Sequence, residues 1–316
     1  MPRTPSTPPV LPEIAPARLR AVRTGLLRWY EAHEQPFPWR TGRDPYSAMV
    51  AAVAAQQTQM ARVIEIHARW MAAFPTLEVL AAAGRDEVLR VWGRAGYPRR
   101  AVGLHETARL CMERHGGALP RDPAALLALP GVGPFTAAII RCFGFGDDAA
   151  AVDTNIVRVI GRVAFGDLQP ARETPPAAIT AMAERLLPAG EAARWNPALM
   201  DFGARVCTPR PRCEACPIAA HCLAAPRFAA GEVAEPVRAQ GAFAGSDREV
   251  RGALMQALRD ARSPLTVETL LRRTARGREE RARARRLLGA LVAEGLAWER
   301  EGRCGLGTGP GVPAAT

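Results

Sequence analysis

The sequence contains no lysine: all 42 of its basic residues are arginine. No side chain can offer an amine, so covalent catalysis through a lysine Schiff base is excluded. There is no apolar run long enough to span a bilayer. The opening stretch to Pro16 is rich in Pro, Ser and Thr and has no apolar core for a signal sequence. Strand-like alternation of useful length is also missing between Ala17 and Ala225. These absences predict a cytoplasmic, nucleoid-associated helical protein with no membrane partner.

What the chain does have is charge and length. The 42 arginines against 31 acidic residues give a formal net charge of +11, which suits a polyanionic partner, most simply nucleic acid. A chain of 316 residues can bury a large core and form two domains.

Four cysteines are concentrated in Cys207-TPRPR-Cys213-EA-Cys216-PIAAH-Cys222, with gaps of five, two and five residues. Soft thiolates so close in sequence select an iron–sulfur cluster or zinc. A zinc ribbon carries two CxxC pairs, and here there is one. Disulfides would need an oxidising compartment that nothing in the chain points to. The spacing favours a [4Fe–4S] cluster, with zinc and disulfides as the alternatives. Cys111 and Cys142 lie in apolar helical runs and read as core thiols, as Trp29, Trp39 and Trp70 read as core aromatics.

Helical patterning predicts helices over Ala17–His33, Pro45–Ala55, Ala61–Phe74, Thr76–Ala83, Arg85–Trp92 and Arg99–His115. It continues with Pro123–Leu129, Phe135–Phe143, Thr154–Phe165, Pro175–Leu187 and Pro197–Val206. Pro226–Gly245 reads as a linker. Beyond it, helices at Asp247–Ala261, Val267–Thr274 and Glu279–Glu294 precede a hairpin over Gly295–Gly307. That order suggests a winged helix whose third helix, with Arg281, Arg283, Arg285 and Arg286, either enters a DNA groove or presents a solvated basic face.

Two segments carry chemistry. Leu129-Pro-Gly-Val-Gly-Pro-Phe135 joins two helices through a turn where the N–H groups of Gly131 and Gly133 can face a phosphate. Asp153, in Ala151-Val-Asp153-Thr-Asn155-Ile-Val-Arg158, opens a helix as its N-cap. A carboxylate there can also stabilise the cation that builds on deoxyribose as an N-glycosidic bond breaks.

Together with the cysteine loop, these segments resemble the helix-hairpin-helix (HhH-GPD) DNA glycosylases that carry an iron–sulfur cluster. Within that group the chain is most similar to the adenine DNA glycosylase (MutY) branch, through Phe37-Pro-Trp-Arg40, Asp44-Pro-Tyr46, Gln56-Gln-Thr-Gln59 and Trp92-Gly-Arg-Ala-Gly-Tyr-Pro98. The similarity runs from about Leu26 to Leu223, and the compact C-terminal region matches the short bacterial form. It implies a mainly α, two-lobed fold in which 17–225 form the glycosylase. A six-helix barrel would cover about 45–150, and a cluster module 17–44 with 151–225. Residues 226–245 would link these to a winged-helix-like domain at 246–307, with disordered tails at 1–16 and 308–316.

The resemblance also implies roles. Asp153 would be the catalytic carboxylate, and Cys207, Cys213, Cys216 and Cys222 would hold the [4Fe–4S] cluster. Gly131, Val132 and Gly133 would grip the backbone beside an extruded nucleotide. Gln57 would wedge into the duplex, and Thr58 would touch the opposing base. Gln56, Phe135 and Asn155 join them as DNA contacts; Arg99 and Arg100, by residue type and position alone, are either phosphate contacts or a solvated helix start. The partner is double-stranded DNA with a damaged or mispaired base, bound by a monomer.

The chain departs from the branch at several positions. The family's catalytic Glu, four residues before the double glutamine, is replaced by Ala52, and no acid occurs between Pro45 and Ile64. An acid of that kind is worth about 10²–10⁴ in rate, because adenine leaves poorly without protonation. Uracil and thymine leave more readily as anions. Ala95 replaces a leucine that helps read the opposing purine, Phe135 stands where lyases carry lysine, and the first cysteine gap is one residue short. The expected activity is monofunctional hydrolysis of uracil or thymine opposite guanine. The alternatives are adenine excision from A:8-oxoG or A:G, and a non-catalytic lesion-binding or iron–sulfur regulatory protein.

Overall fold

The computed structural model describes residues 9–235 and 242–309. The expected tails lie largely outside these residues, as does the middle of the expected linker. Thirteen α-helices precede that gap: α1 (Pro16–Glu31), α2 (Pro45–Ala55), α3 (Met60–Ala73), α4 (Leu77–Ala82), α5 (Arg85–Trp92), α6 (Arg99–Arg114), α7 (Pro123–Leu127), α8 (Pro134–Ile139), α9 (Thr154–Ile160), α10 (Pro170–Glu173), α11 (Pro176–Leu186), α12 (Ala192–Arg205) and α13 (Ala225–Ala229). After it come α14 (Asp247–Asp260), β1 (Leu265–Thr266), α15 (Val267–Thr274), α16 (Gly277–Ala293), β2 (Ala297–Arg300) and β3 (Arg303–Leu306).

The chain forms two compact units. One is made of Met1–Met49 with Gly133–Arg238, the other of Val50–Val132 with Ala239–Thr316. Both are interrupted in sequence, and the expected divisions near 45, 150 and 226–245 differ from these. The reason is shared burial. Leu89 of α5 and Val102 of α6 lie in the same core as Leu254, Leu258, Leu270, Leu287 and Leu291 of the C-terminal helices.

In the second unit Trp70 and Trp92 meet edge to face at 5.5 Å, with Phe74 against Trp70 at 5.1 Å. Each such contact is worth about 0.5–1.5 kcal/mol beyond its buried area. α2 is apolar all round, with Ala48 to Ala54 all buried, as a helix enclosed on every side must be. The C-terminal helices pack with a three-stranded antiparallel sheet in the order β1-β3-β2. The hairpin is β2–β3, with Ala297 opposite Leu306. The two-residue strand β1 is too short to leave a sequence pattern. Of the five arginines on α16, Arg283 and Arg286 pair with Asp247, and Arg285 binds Glu299 through both terminal nitrogens. Arg278 and Arg281 have no partner among the described residues, so three of the five charges are neutralised within the fold.

In the first unit the core is built from α1, α9, α11 and α12, centred on Leu26, Ile160, Met182, Trp195 and Phe202. Three local differences from the expected helices have physical causes. α12 begins at Ala192, a turn before Pro197, because burial of Trp195 and Asn196 outweighs the one helix bond that the proline removes. α8 and α9 each widen into a π turn, Ile140–Phe145 and Gly161–Phe165, where unbroken helices were expected. Both turns close on a left-handed glycine, Gly146 (φ 73) and Gly166 (φ 79). Finally, α13 occupies the start of the expected linker.

Candidate active site

In the first unit, Asp153 caps α9. Its Oδ1 accepts the Ile156 N–H at 2.7 Å, and its Oδ2 accepts Nδ2 of Asn155 at 3.0 Å. Burial raises the carboxyl above its ordinary value of 3.8, while the bonds from Ile156 and Asn155 and the charge of Arg158 pull it back down. Asn155 is committed on its other side as well, since its Oδ1 accepts Nη2 of Arg158 at 2.7 Å. Arg158 also donates to the Gly203 carbonyl at 2.7 Å and from Nε to the Cys207 carbonyl at 2.6 Å. A continuous chain of hydrogen bonds thus runs from the Asp153 carboxylate to the first cysteine of the loop. Gly203 permits the close approach of α12, because a Cβ there would stand 2.7 Å from that of Asn155.

The four cysteines line one largely apolar hollow with Phe202, Val206 and Ile218. Among the described residues no three His, Cys, Asp or Glu side chains converge on a point that one metal ion could fill. Burial holds the thiols of Cys213 and Cys222 high and pushes Cys216 up to about 11, so their thiolate form calls for an electropositive partner.

Arg162 adds a second test of fit. Only 2% exposed, it gives all its nitrogens to neutral groups: Nε to Leu168 O, Nη1 to Thr208 O and to Cys207 Sγ at 3.5 Å, and Nη2 to Pro209 O. Among the described residues no carboxylate pairs with this buried cation, and an anionic thiolate-ligated cluster beside it would balance it. The donor set fits a [4Fe–4S] group. α1 ties the loop down from outside, with Arg18 Nε donating to His221 O at 2.9 Å.

In the second unit, Gln56, Gln57 and Thr58 follow the end of α2. Gln57 is exposed and takes a left-handed backbone (φ 52), as does Tyr97 (φ 44). The Tyr97 hydroxyl donates to Gln57 Oε1 at 2.8 Å. Thr58 Oγ1 is bonded locally to Gln56 O. Arg100 organises this region. Its Nη1 donates to the carbonyls of Val53, Ala54 and Gln56, and its Nη2 to those of Ala95 and Gly96. Read from the sequence as a phosphate contact or part of a solvated helix start, Arg100 is half-buried and spends its two terminal nitrogens on backbone, while its Nε has no partner among the described residues. Arg99 is exposed and has no protein partner among the described residues. Ala52, on α2, is 4% exposed.

The glycine turn is split in sequence between the units, after Val132. Gly131 needs its glycine for φ 75, and Gly103 of α6 approaches it closely. Thr107 fixes the turn through Pro130 O at 2.9 Å. The N–H groups of Gly131 and Gly133 have no partner among the described residues, but that of Val132 bonds to Leu129 O and its side chain is buried. Phe135 lies in the first turn of α8, against an apolar hollow with Val152 and Val157. Sequence reasoning missed Arg158, Arg162 and Tyr97.

Residues 50–184 match the model of the HhH-GPD superfamily of base excision DNA repair proteins. Over 244 residues the chain is 41% identical to the adenine DNA glycosylase of Mycolicibacterium smegmatis, covering 76% of this chain and 81% of that protein. It is 35% identical over 199 residues to the thymine/uracil-DNA glycosylase of Methanothermobacter thermautotrophicus, covering 62% of this chain and 90% of that one. A solved thermostable thymine-DNA glycosylase superposes with a TM-score of 0.62 at 32% identity, covering 67% of this chain and 98% of the other.

Proposed function

We propose that this chain, which belongs to the HhH-GPD superfamily of base excision DNA repair proteins and is a DNA N-glycosylase, removes uracil or thymine mispaired with guanine. The observation that carries the reading is Ala52. It is a buried methyl group on α2, with Asp44 the nearest preceding acid and already spent on capping the N–H groups of Tyr46 and Ser47. A site without a proton donor there favours a base that leaves as a stabilised anion.

In this reading Asp153 is the catalytic group. Its carboxylate, held by Ile156 N–H and Asn155 Nδ2, faces the positive charge that develops on the sugar and orients the attacking water. Gly131 and Gly133 offer their N–H groups to the phosphate beside the extruded nucleotide. Gln57 fills the gap that extrusion leaves in the duplex. The chain holds no lysine, so the reaction ends at hydrolysis. Cys207, Cys213, Cys216 and Cys222 hold the cluster, which when bound cross-links the loop and balances Arg162.

The experiment is single-turnover excision on duplexes containing U:G, T:G, A:8-oxoG or A:G, with Asp153→Asn as control. Cleavage of the pyrimidine mispairs alone is expected. Cleavage of A:8-oxoG with U:G and T:G untouched would overturn the substrate. The second reading, adenine excision, is supported by the 41% identity to an adenine DNA glycosylase.

A further inference from the structure

The second unit carries a half-open cavity of about 600 Å³, lined by none of the residues assigned to excision. Its walls come from the α4–α5 connection, α6, the end of α14 and the β2–β3 sheet. Four arginines line it, Arg85, Arg90, Arg109 and Arg262, against one lining carboxylate, Asp86. Arg85 pairs with Glu106 at 3.0 Å. Arg90 is 3.9 Å from Asp86 and donates to the Arg259 carbonyl. Arg109 and Arg262 make no hydrogen bond or ion pair among the described residues. Four cations thus face two carboxylates, and two of the cations are free.

His105 is the second observation. It lines the same cavity, is 4% exposed, and neither ring nitrogen has a well-aligned hydrogen bond, the backbone of Ala81 and Ala83 supplying only weak partners that raise its pKa slightly. A buried polar ring so weakly paired costs stability unless something else meets it. Burial first, and then the charges of Arg85 and Arg109, lower its pKa to about 4, so at neutral pH it offers one donor and one acceptor. The opposite wall is apolar, formed by Leu258, Leu306 and Trp298, and glycines at 305 and 309 let the indole lie directly against backbone.

We propose that this cavity binds a phosphorylated nucleoside, with the phosphates on Arg109, Arg262 and Arg85 and the base against Leu258, Trp298 and Leu306. The volume is that of an ordinary small-molecule site. Arginine's planar fork matches phosphate oxygens, and free guanidinium groups beside an apolar wall are the two halves of nucleotide recognition. The phosphate has two possible sources, a free nucleoside triphosphate or the phosphorylated 5′ end of a DNA strand.

The test is calorimetric titration of the full chain with ATP, with inorganic tripolyphosphate, and with a short oligonucleotide bearing or lacking a 5′-phosphate. Arg109→Gln/Arg262→Gln is compared with wild type and with Arg62→Gln, an exposed arginine elsewhere. Saturable binding that the double variant weakens at least about tenfold, a change of about 1.4 kcal/mol, while Arg62→Gln leaves it intact, is expected. Arginine-dependent binding of ATP identifies a free nucleotide. Dependence confined to the 5′-phosphorylated oligonucleotide identifies a strand end. Tripolyphosphate binding as tightly as ATP overturns the role of the apolar wall. No saturation by ATP or oligonucleotide up to about 1 mM, or binding unchanged in the double variant, overturns the proposal. Excision by the double variant is expected to stay at the wild-type rate, so failure here is distinct from failure of the glycosylase reading.

Discussion

The Tyr97 hydroxyl donates to Gln57 Oε1 across 2.8 Å, and both residues hold left-handed backbone, at φ 44 and 52. Non-glycine residues in that region carry about 1–3 kcal/mol of strain, and here two neighbours carry it together on an exposed surface. Gln57→Gly is therefore expected to raise unfolding free energy by up to about 1 kcal/mol in denaturant titration. The same variant should slow base extrusion, read by a fluorescent base analogue opposite the lesion. Loss of stability together with full extrusion would sink the wedge role.

If Asp153 acts as proposed, its carboxylate should set an acidic limb of the pH–rate profile. Its pKa is raised in the folded protein above 3.8, so the active anion is lost as pH falls through that raised value, earlier than for an ordinary aspartate. The same shift means that folding binds the proton more tightly, so burying the charge costs stability above this pKa and the cost fades on acidification. Asn155 stabilises the anion, and Asn155→Ala should move the acidic limb of the pH–rate profile further up. A profile that does not move would show that Asn155 leaves the carboxylate unaffected. Asp153→Asn keeps a good N-cap and should lower the rate by about 10²–10³-fold or more with little change in melting temperature.

Ala52→Glu restores an acid at a position 4% exposed. We expect excision of A:8-oxoG to rise by about 10²-fold or more over the parent, with a stability cost of about 1–3 kcal/mol from crowding the enclosed helix. Adenine excision already at full rate in the parent, and unmoved by the change, would show that another group supplies the proton.

Iron and sulfide analysis of anaerobically purified protein should give about four of each per chain. Cys213→Ser should lose most of both. Arg162→Met removes the guanidinium that donates to Thr208 O, Pro209 O and Cys207 Sγ, and should lower iron content along with stability, by about 3 kcal/mol. Stoichiometric zinc in place of iron would overturn the cluster assignment.

What could be read from the sequence was whatever local spacing encodes. The cysteine loop, the Gly131–Gly133 turn and the cap at Asp153 each occupy a few consecutive residues, and their chemistry follows from residue type. The braces did not show. With 42 arginines in the chain, nothing marks Arg100, Arg158 or Arg162 as different from a solvated neighbour, because their role lies in carbonyls brought in from distant residues. Arg99 and Arg100 are adjacent and identical in type, yet one is exposed and the other spends both terminal nitrogens on backbone. The grouping of the C-terminal helices with Leu89 and Val102 was equally hidden, since a core shared between segments leaves no periodic trace in either.

The anchoring of the cluster loop by α1 also sets a schedule for biosynthesis. Arg18 and its acceptor at His221 are 203 residues apart, so α1 emerges from the ribosome long before its partner exists. At elongation rates of about 5–20 residues per second, Val22 and Leu26 wait roughly 9–35 s for α12, whose Trp195, Leu199 and Phe202 share their core. During that interval this part of the core is incomplete. A cluster held by the four cysteines, as proposed, would be installed later still, once the last cysteine has been translated.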